Sequence, residues 1–114
     1  MNFPDLIMFG IQGSGKGVQN TLLAQKYPAY QVLDLGMVFR AQAQTDSDLG
    51  RNIKKQIDQG NIVSIEDYAA VLAEIMQNSD PNTHFIFDGF VRTLAQKDIF
   101  EKATAERRVI GINL

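Results

Sequence analysis

The feature that most constrains the fold is a glycine-rich turn near the start of the chain. Residues 10–17 read Gly-Ile-Gln-Gly-Ser-Gly-Lys-Gly, and apolar residues dominate positions 3–9 before them. The apolar run predicts a short buried strand, and the leucines, lysine and glutamines of residues 16–25 predict a helix. The glycines therefore lie in a turn that leads from a strand into a helix, which is where many α/β proteins bind phosphate groups.

The composition of this turn is that of a phosphate cradle. Glycines at positions 10, 13, 15 and 17 let backbone N–H groups approach an anion, and Lys16 supplies a mobile ammonium. The pattern G-x-x-x-x-G-K-[ST] is met at Gly10, Gly15 and Lys16, but Gly17 replaces the hydroxyl residue that ligates a metal. The sequence thus predicts phosphate binding with one metal ligand missing. A glycine-rich connector with an incidental lysine is the weaker alternative.

Composition narrows the class of protein. The 114 residues suffice for one domain, and 45% hydrophobic with 21% charged residues is ordinary for a globular protein. A net charge of −2 argues against nucleic acid or an acidic membrane surface as a partner. The absence of cysteine excludes disulfides and cysteine metal sites. Neither an apolar run of about 18 residues nor a leader is evident, so we expect a cytoplasmic protein.

The order of the apolar runs predicts a parallel sheet. Short runs rich in aromatic or β-branched residues nominate four strands, at residues 6–9, 30–33, 84–87 and 108–112. Three helices fit between the second and third strands, at residues 36–44, 48–59 and 65–77. A conventional crossover needs one helix, so the surplus of roughly 30 residues predicts a small helical insertion off the sheet edge. The expected fold is α/β, with about four parallel strands wrapped by helices in a single domain 1–114 and the insertion over about residues 36–76.

Two short motifs predict where local structure changes. Residues 64–67 resemble a capping box, with Ser64 as the cap and Asp67 in the position of the usual glutamate. Residues 80–82 read Asp-Pro-Asn, which is typical of a turn. The third strand is therefore expected to begin just after that turn.

A second group of polar residues follows the third predicted strand. Asp88 and Gly89 stand at its carboxyl end, where parallel sheets keep their ligands, and Arg92 comes four positions after the aspartate. Asp88 can hold a water on Mg²⁺ bound to phosphates, and Arg92 can clamp a second phosphate. Alternatively, Asp88 caps a helix and Arg92 is a solvated residue of its first turn. Arg40, after the second strand, is either a further phosphate contact or an exposed helix arginine.

Other conspicuous residues are expected to be structural. Arg107 and Arg108 precede the last strand, at the sheet edge opposite the ligand side, and are expected to be solvated. His84 begins the third strand at the same far end and is expected to be a satisfied structural histidine. Met37 and the phenylalanines are expected to pack in the interior.

Taken together, these motifs resemble those of adenylate kinases. Four segments fall in that family's order and spacing, at residues 10–19, 36–40, 60–63 and 88–96. The last reads Asp-Gly-Phe-Val-Arg-Thr-x-x-Gln, which is far more specific than the phosphate loop alone. The resemblance covers all 114 residues. It implies a fold like that of phosphate-loop NTPases, and a phosphotransferase that moves the terminal phosphate of ATP, bound with Mg²⁺, to AMP or another nucleoside monophosphate.

The resemblance also implies a role for each matching residue. Lys16 and the loop hold the donor phosphates, while Asp88 orders the water shell of the metal. Arg40 and Arg92 grip the phosphate of the monophosphate, and these four residues are the implied catalytic set. The residues implied at the ATP site are Gly10, Gly13, Ser14, Gly15, Lys16, Gly17 and Val18. Those implied at the monophosphate site are Leu35, Gly36, Arg40, Ile62, Val63, Gly89, Arg92 and Gln96. The section from residue 36 to 76 is implied to be a mobile lobe that closes over the monophosphate and excludes water.

The chain departs from the family pattern at four positions. Family members usually carry threonine, threonine, aspartate and proline at the positions of Val18, Leu35, Met37 and Val91. Val18 removes a hydroxyl near the phosphates and Met37 removes a carboxylate near the metal, so we expect metal handling and rate to differ from those of the family. Leu35 removes a polar contact to the acceptor base, which leaves the identity of that base open.

Family members also continue past the fourth strand into a lid that carries arginines, a last helix pair and a fifth strand. We therefore expect this chain to be the N-terminal part of such an enzyme. We also expect it to bind phosphate better than it catalyses, because an arginine of that kind can be worth roughly 10³–10⁵ in rate. Three functions stay open: a kinase, a nucleotide-binding module without transfer, and an assembly remnant whose fourth-strand edge pairs with another chain. Apart from such pairing, we expect a monomer.

Overall fold

The computed structural model describes residues 3–10 and 15–113, apart from the side chain of Lys16. In this part of the chain the elements follow one another as β1 (Asp5–Phe9), α1 (Lys16–Lys26), β2 (Tyr30–Asp34), α2 (Leu35–Ala43), α3 (Asp48–Asp58), α4 (Ile65–Asn78), β3 (His84–Asp88), α5 (Leu94–Ala103) and β4 (Val109–Asn113). Each nominated strand and helix is present, and α5 is an element that the apolar pattern does not single out. No helix within these described ranges is both long and apolar enough to cross a membrane.

The four strands form one parallel sheet in the order β2-β3-β1-β4. Met8 of β1 and Asp34 of β2 both pair with Asp88 of β3, while Leu6 of β1 pairs with Ile110 of β4. The chain passes β3 on its way from β1 to β2, and later passes β1 on its way from β3 to β4. The connections therefore leave the two central strands in opposite directions, which opens a crevice at the carboxyl ends of the strands. The expected α/β sheet wrapped by helices is confirmed.

Apolar side chains cover both faces of the sheet. Phe85 and Phe87 of β3 point to one face, where Phe87 packs edge-on against Phe100 of α5 with 4.9 Å between ring centroids. Ile86 points to the opposite face, because side chains alternate along a strand. The cluster on that second face contains Leu6, Met8, Tyr30 and Ile86, with Leu23 of α1 packed against it. The same alternation places Asp88 on the α1 side of the sheet.

The segment predicted to be an insertion divides into two parts. α4 belongs to the main core, since Tyr68, Val71 and Leu72 are about 1% exposed and the first and last pack in the cluster of β3 aromatic rings. Ser64 begins this helix as predicted, and its hydroxyl accepts a hydrogen bond from the N–H of Asp67 at 3.2 Å. α3 packs instead against α2 and α4. Movement of residues 36–76 as one lobe stays a prediction.

A buried ion pair ties the amino-terminal ends of the strands together. Asp5 is 2% exposed, and its carboxylate accepts hydrogen bonds from Nε and Nη2 of Arg107 and from the N–H of Phe85. Arg107 Nη2 also donates to the carbonyl of Thr83 at 2.5 Å. The hydrogen bond to Asp5 raises the pKa of the Arg107 guanidinium. The prediction that Arg107 is solvated is therefore wrong, whereas Arg108 is exposed as expected.

Two further expectations have opposite outcomes. His84 is half-buried, and its ring lies 5.9 Å from the rings of Phe3 and Tyr30, so it is a structural histidine as predicted. Met37, expected to pack in the interior, is 64% exposed. The reason is its place on α2, where Leu35 takes the buried position instead.

Candidate functional site

The carboxyl edge of the sheet brings three turns together. Gly10 follows β1, Asp34 ends β2 and Asp88 ends β3, and the register places Asp34 beside Asp88. Because Met8 of β1 also lies opposite Asp88, the glycine-rich turn starts close to that aspartate. The crevice in the sheet is thus bordered by the two motifs that stand out in the sequence.

The glycine-rich turn enters α1 through Gly15. This residue has φ +87°, a left-handed conformation that favours glycine, and the helix starts without a side-chain cap. A Cβ at Gly17 would meet nothing within 4 Å, so the approach to the first turn of α1 is open there. Uncapped N–H groups at a helix start are suited to an anion. Residues 11–14, which include Gly13 and Ser14, and the side chain of Lys16 lie outside the described residues.

The start of α2 positions Arg40. Asp34 caps the helix, since its Oδ1 accepts a hydrogen bond from the N–H of Met37 at 3.0 Å. Leu35 is buried in the main core and anchors this turn. The Arg40 guanidinium lies against Gly36, where a Cβ would stand 3.3 Å from Nη1. Glycine at this position therefore lets the guanidinium lie close to the start of its own helix.

The turn after β3 carries the second arginine. Gly89 has φ +73°, and a Cβ there would lie 3.1 Å from Nη2 of Arg92. Tyr68 of α4 fixes this turn, because its hydroxyl donates a 2.6 Å hydrogen bond to the carbonyl of Phe90. Burial raises the pKa of Tyr68 to about 12, so this donor keeps its proton at neutral pH. Arg92 thus extends from a turn that the main core holds in place.

α5 begins with a reciprocal pair of hydrogen bonds. Thr93 Oγ1 accepts from the N–H of Gln96 at 3.1 Å, and Gln96 Oε1 accepts from the N–H of Arg92 at 2.8 Å. This arrangement is close to a capping box. The alternative that Asp88 caps the helix is wrong, because the cap is Thr93. With Oε1 engaged, Gln96 offers its Nε2 amino group as a donor.

These elements enclose an open cleft of about 380 Å³. The turn from β2 into α2 forms one side, the turn from β3 into α5 forms the other, and α3 contributes Ile57. The lining residues are Asp34, Leu35, Gly36, Phe39, Arg40, Ile57, Asn61, Ile62, Val63, Asp88, Gly89, Arg92 and Gln96. All eight residues that the resemblance implies at a monophosphate site are in this set. The tertiary structure therefore brings together residues that are up to 61 positions apart, from Leu35 to Gln96.

The cleft contains two guanidinium groups that are available to a ligand. Among the described residues, neither Arg40 nor Arg92 is paired with a carboxylate. Arg51 on α3 differs, because it contacts Asp46 at 2.7 Å and Asp48 at 2.6 Å. A guanidinium presents a planar fork of N–H donors that matches the oxygens of a phosphate or carboxylate. The cleft is thus equipped to bind an oxyanion.

Comparison with known proteins identifies the family. The family model described as adenylate kinase matches residues 8–113. The chain belongs to the adenylate kinase family. An adenylate kinase of Bacteroides thetaiotaomicron is 36% identical over 103 residues, which cover 90% of this chain and 54% of the relative. An adenylate kinase of Mesorhizobium japonicum is 38% identical over 104 residues, which cover 91% of this chain and 52% of the relative. The chain spans about half the length of the curated relatives it matches.

In this member of the adenylate kinase family, Asp88 accepts a hydrogen bond from a residue of α1. Asn20 is 3% exposed, and its Nδ2 donates a 3.3 Å hydrogen bond to Asp88 Oδ2. Mg²⁺ prefers oxygen ligands such as carboxylate and amide oxygens, so these two side chains fit the metal that the resemblance implies. The described residues contain no group of three or more histidine, cysteine or acidic side chains that could hold a metal.

The sequence patterns do not nominate four residues that support this candidate site, namely Asn20, Asp34, Tyr68 and Thr93. Asp34 and Thr93 carry a usable signal, since each is a capping residue type directly before a helix. Asn20 carries a weaker one, as a polar residue three positions before Leu23 on the buried face of α1. Tyr68 carries none, because its partner Phe90 is 22 positions away.

Proposed function

We propose that this chain binds ATP and a nucleoside monophosphate and takes part in moving the terminal phosphate of ATP to that monophosphate, with AMP as the first candidate. The observation that carries the proposal is the cleft with Arg40 and Arg92, which lies beside the start of the glycine-rich turn. Membership of the adenylate kinase family supports it. Two anion sites at one sheet edge are what transfer between two phosphates requires, because the reaction depends mainly on positioning and charge stabilisation.

The donor side is the glycine-rich turn. Backbone N–H groups of this turn and of the start of α1 bind the phosphates of ATP, and the ammonium of Lys16 binds the terminal ones. The residues proposed for this side are Gly10, Gly13, Ser14, Gly15, Lys16, Gly17 and Val18. Gly15 supports the assignment, since its left-handed backbone starts the helix and leaves its first amides uncapped.

The acceptor side is the cleft. Arg40 and Arg92 bind the phosphate of the monophosphate from opposite walls, each held over a glycine at the start of its turn. Fixed guanidinium groups also stabilise charge that develops during transfer without having to reorganise. The proposed catalytic set is therefore Lys16, Arg40, Asp88 and Arg92.

The base of the acceptor lies against the apolar part of the cleft. Ile62 is 89% exposed. A base that covers this side chain removes apolar surface from water, which favours binding by about 1–3 kcal/mol. Leu35 and Val63 continue this surface, and Gln96 Nε2 donates to an acceptor atom on the base. Because Leu35 offers no polar group, the choice of base depends on Gln96 and on the main chain of the cleft.

The metal contributes charge neutralisation on the ATP phosphates when it is bound with them. Asp88 is proposed to hold it through water. The chain fixes this carboxylate by its place at the end of β3 and by the amide of Asn20.

A nucleotide-binding module without phosphate transfer is the second candidate. Val18 and Met37 are 65% and 64% exposed beside the two proposed phosphate sites, and neither offers an oxygen to a metal. Such a chain would bind both nucleotides and form no ADP. The binding residues would be the same, so the two candidates differ only in turnover.

Calorimetric titration with AMP tests the acceptor side. Replacing Arg92 by alanine removes a charge-assisted contact to the phosphate, and we expect AMP affinity to fall about ten- to hundredfold. Arg92→Lys keeps the charge but not the fork, and should recover only part of that loss. Arg51→Ala is the matched control, because it removes an arginine of α3 that is already paired outside the cleft. Equal AMP affinities for Arg92→Ala and Arg51→Ala would remove the cleft from the proposal.

A coupled assay for ADP, run with ATP and each nucleoside monophosphate in turn, tests transfer and identifies the base. ADP formation that disappears in Lys16→Ala supports the kinase. Binding of both nucleotides without ADP selects the second candidate. Turnover that survives Lys16→Ala contradicts the donor site.

A further inference from the structure

Asn20 is the least expected polar residue in the interior. It lies on the second turn of α1, and its side chain faces the end of β3, on the side of the sheet that carries the apolar cluster of Leu6, Met8 and Ile86. Asn20 is only 3% exposed, and its hydrogen-bond partner Asp88 is 68 positions away in the chain. Burying an amide costs free energy unless both of its polar atoms form hydrogen bonds.

Only one end of this amide is satisfied. Nδ2 donates to Asp88 Oδ2 at 3.3 Å, whereas Oδ1 is buried and has no hydrogen-bond partner in the part of the chain that the structure describes. A buried acceptor without a partner loses its hydrogen bonds to water and gains none in return, which destabilises the folded chain. Turning the amide over does not help, since Oδ1 would then face the carboxylate and Nδ2 would lose its acceptor. The described residues therefore supply no donor to Asn20 Oδ1.

That donor must fit close to Asp88. Oδ1 shares a carbon atom with Nδ2, so it lies no farther than about 5.5 Å from Asp88 Oδ2. One water with two hydrogen bonds of about 2.8 Å can span such a gap. A water that is bound to a cation turns its oxygen to the cation and both hydrogens away from it. Such a water can donate one hydrogen to each of two acceptor oxygens.

We propose that Asn20 and Asp88 together bind a water in the coordination shell of the Mg²⁺ that accompanies ATP. Asn20 Oδ1 accepts one hydrogen of this water and the Asp88 carboxylate accepts the other, while Asn20 Nδ2 holds the carboxylate in place. Gly17 and Val18 carry no hydroxyl that could act on the metal, and Asn20 offsets part of that loss. The inference rests on the proposed function, because it assumes that ATP binds at the glycine-rich turn.

The test compares ATP binding with and without Mg²⁺ by calorimetry. The measured quantity is the dissociation constant in excess chelator divided by the dissociation constant in excess Mg²⁺, which is the gain in affinity that the metal provides. We expect Asn20→Ala and the similarly sized Asn20→Leu to lower this ratio about tenfold, as loss of an outer-shell partner of a metal does. Binding of metal-free ATP should change by less than about twofold. Gln25→Ala, which removes an exposed amide from the same helix, is the matched control and should keep the wild-type ratio.

A second variant separates metal handling from packing. Asn20→Asp keeps an acceptor but removes the donor to Asp88, so two carboxylates face each other and the protein without metal should melt earlier. Adding Mn²⁺ alone should recover more of this melting temperature than it adds to wild type. A carboxylate pair that a cation cannot reach gives the same initial loss with no recovery. Absence of recovery, or an unchanged calorimetric ratio in Asn20→Ala and Asn20→Leu, overturns the inference.

The two proposals fail in different ways. If the wild-type chain binds ATP neither with Mg²⁺ nor without it, the proposed function fails first. If wild type binds ATP and gains affinity from Mg²⁺, but Asn20 variants gain as much, only the role of Asn20 is wrong.

Discussion

The ion pair between Asp5 and Arg107 gives a stability prediction that follows directly from its burial. Arg107 stands two positions before the start of β4, its side chain is 21% exposed, and it donates to a carboxylate that is 2% exposed. Replacing it by alanine removes two of the three hydrogen bonds that the described residues donate to Asp5 and leaves the one from the N–H of Phe85. The carbonyl of Thr83 loses its Arg107 donor as well. We therefore expect Arg107→Ala to lower the free energy of unfolding, because the buried charge of Asp5 loses its counter-charge.

The magnitude follows from that count. Breaking a buried ion pair by removing one partner costs about 3–5 kcal/mol. The lower end applies here, because Arg107 is partly exposed and water can reach the space it vacates. Unfolding entropy of about 2 cal/mol/K per residue gives roughly 0.24 kcal/mol/K for a chain of 114 residues. A loss of about 3 kcal/mol therefore lowers the melting temperature by about 12 °C.

Urea titration and thermal melts followed by circular dichroism measure the effect. Arg108→Ala is the matched control, since the neighbouring arginine is exposed and its loss should cost less than about 0.5 kcal/mol. In the Arg107→Ala background, Asp5→Asn removes the uncompensated charge and keeps an acceptor for Phe85. That double variant should be more stable than Arg107→Ala alone by about 1–2 kcal/mol.

Two results would refute the reasoning. One is a loss below about 1 kcal/mol in Arg107→Ala, which would mean that water or another side chain replaces the guanidinium. The other is a double variant no more stable than Arg107→Ala. In that case the loss comes from packing and not from the buried charge.

Two further predictions concern the turn that carries Arg92. Tyr68→Phe should cost about 1–2 kcal/mol in urea titration at pH 8, because the carbonyl of Phe90 loses its buried donor. Since burial raises the pKa of Tyr68 from 10 to about 12, the wild-type advantage is fully present below pH 10 and declines as pH rises to about 12; a constant difference between the two proteins across that interval contradicts it. Gly89→Ala should cost about 1–2 kcal/mol at a φ of +73° and displace Arg92, whose Nη2 would lie 3.1 Å from the new Cβ. AMP affinity should fall with it while ATP affinity stays unchanged, and equal AMP affinity in calorimetry would show that the guanidinium does not depend on this glycine.

Much of the fold is predictable from short stretches of the sequence. The four strands are predictable from local apolar runs, and their parallel orientation from their alternation with helices. Ser64 and the turn at residues 80–82 act through hydrogen bonds between neighbours two or three positions apart. α5 is not evident in the same way, because its apolar face is short, although Thr93 gives a local signal for its start.

The candidate site is predictable to a different degree on its two sides. The glycine-rich turn is a contiguous motif, so it can be recognised without any knowledge of the fold. The eight residues of the cleft were nominated through family resemblance, and the structure places them along one surface. Their roles in binding stay a prediction. Asp34 and Tyr68, which hold the walls of the cleft, were not nominated.

The sequence by itself determined the order of elements, the strand-to-helix glycine turn and the nomination of Arg40, Asp88 and Arg92. Each of these depends on residue type, periodicity or spacing within a short stretch, where chain connectivity already fixes the neighbours. Only the tertiary structure decided that Arg107 is buried against Asp5, 102 positions away, and that Asn20 reaches Asp88. Strand register and the packing of α1 on the sheet set those contacts, and a side chain gives no local sign of a partner that folding brings from the other end of the chain.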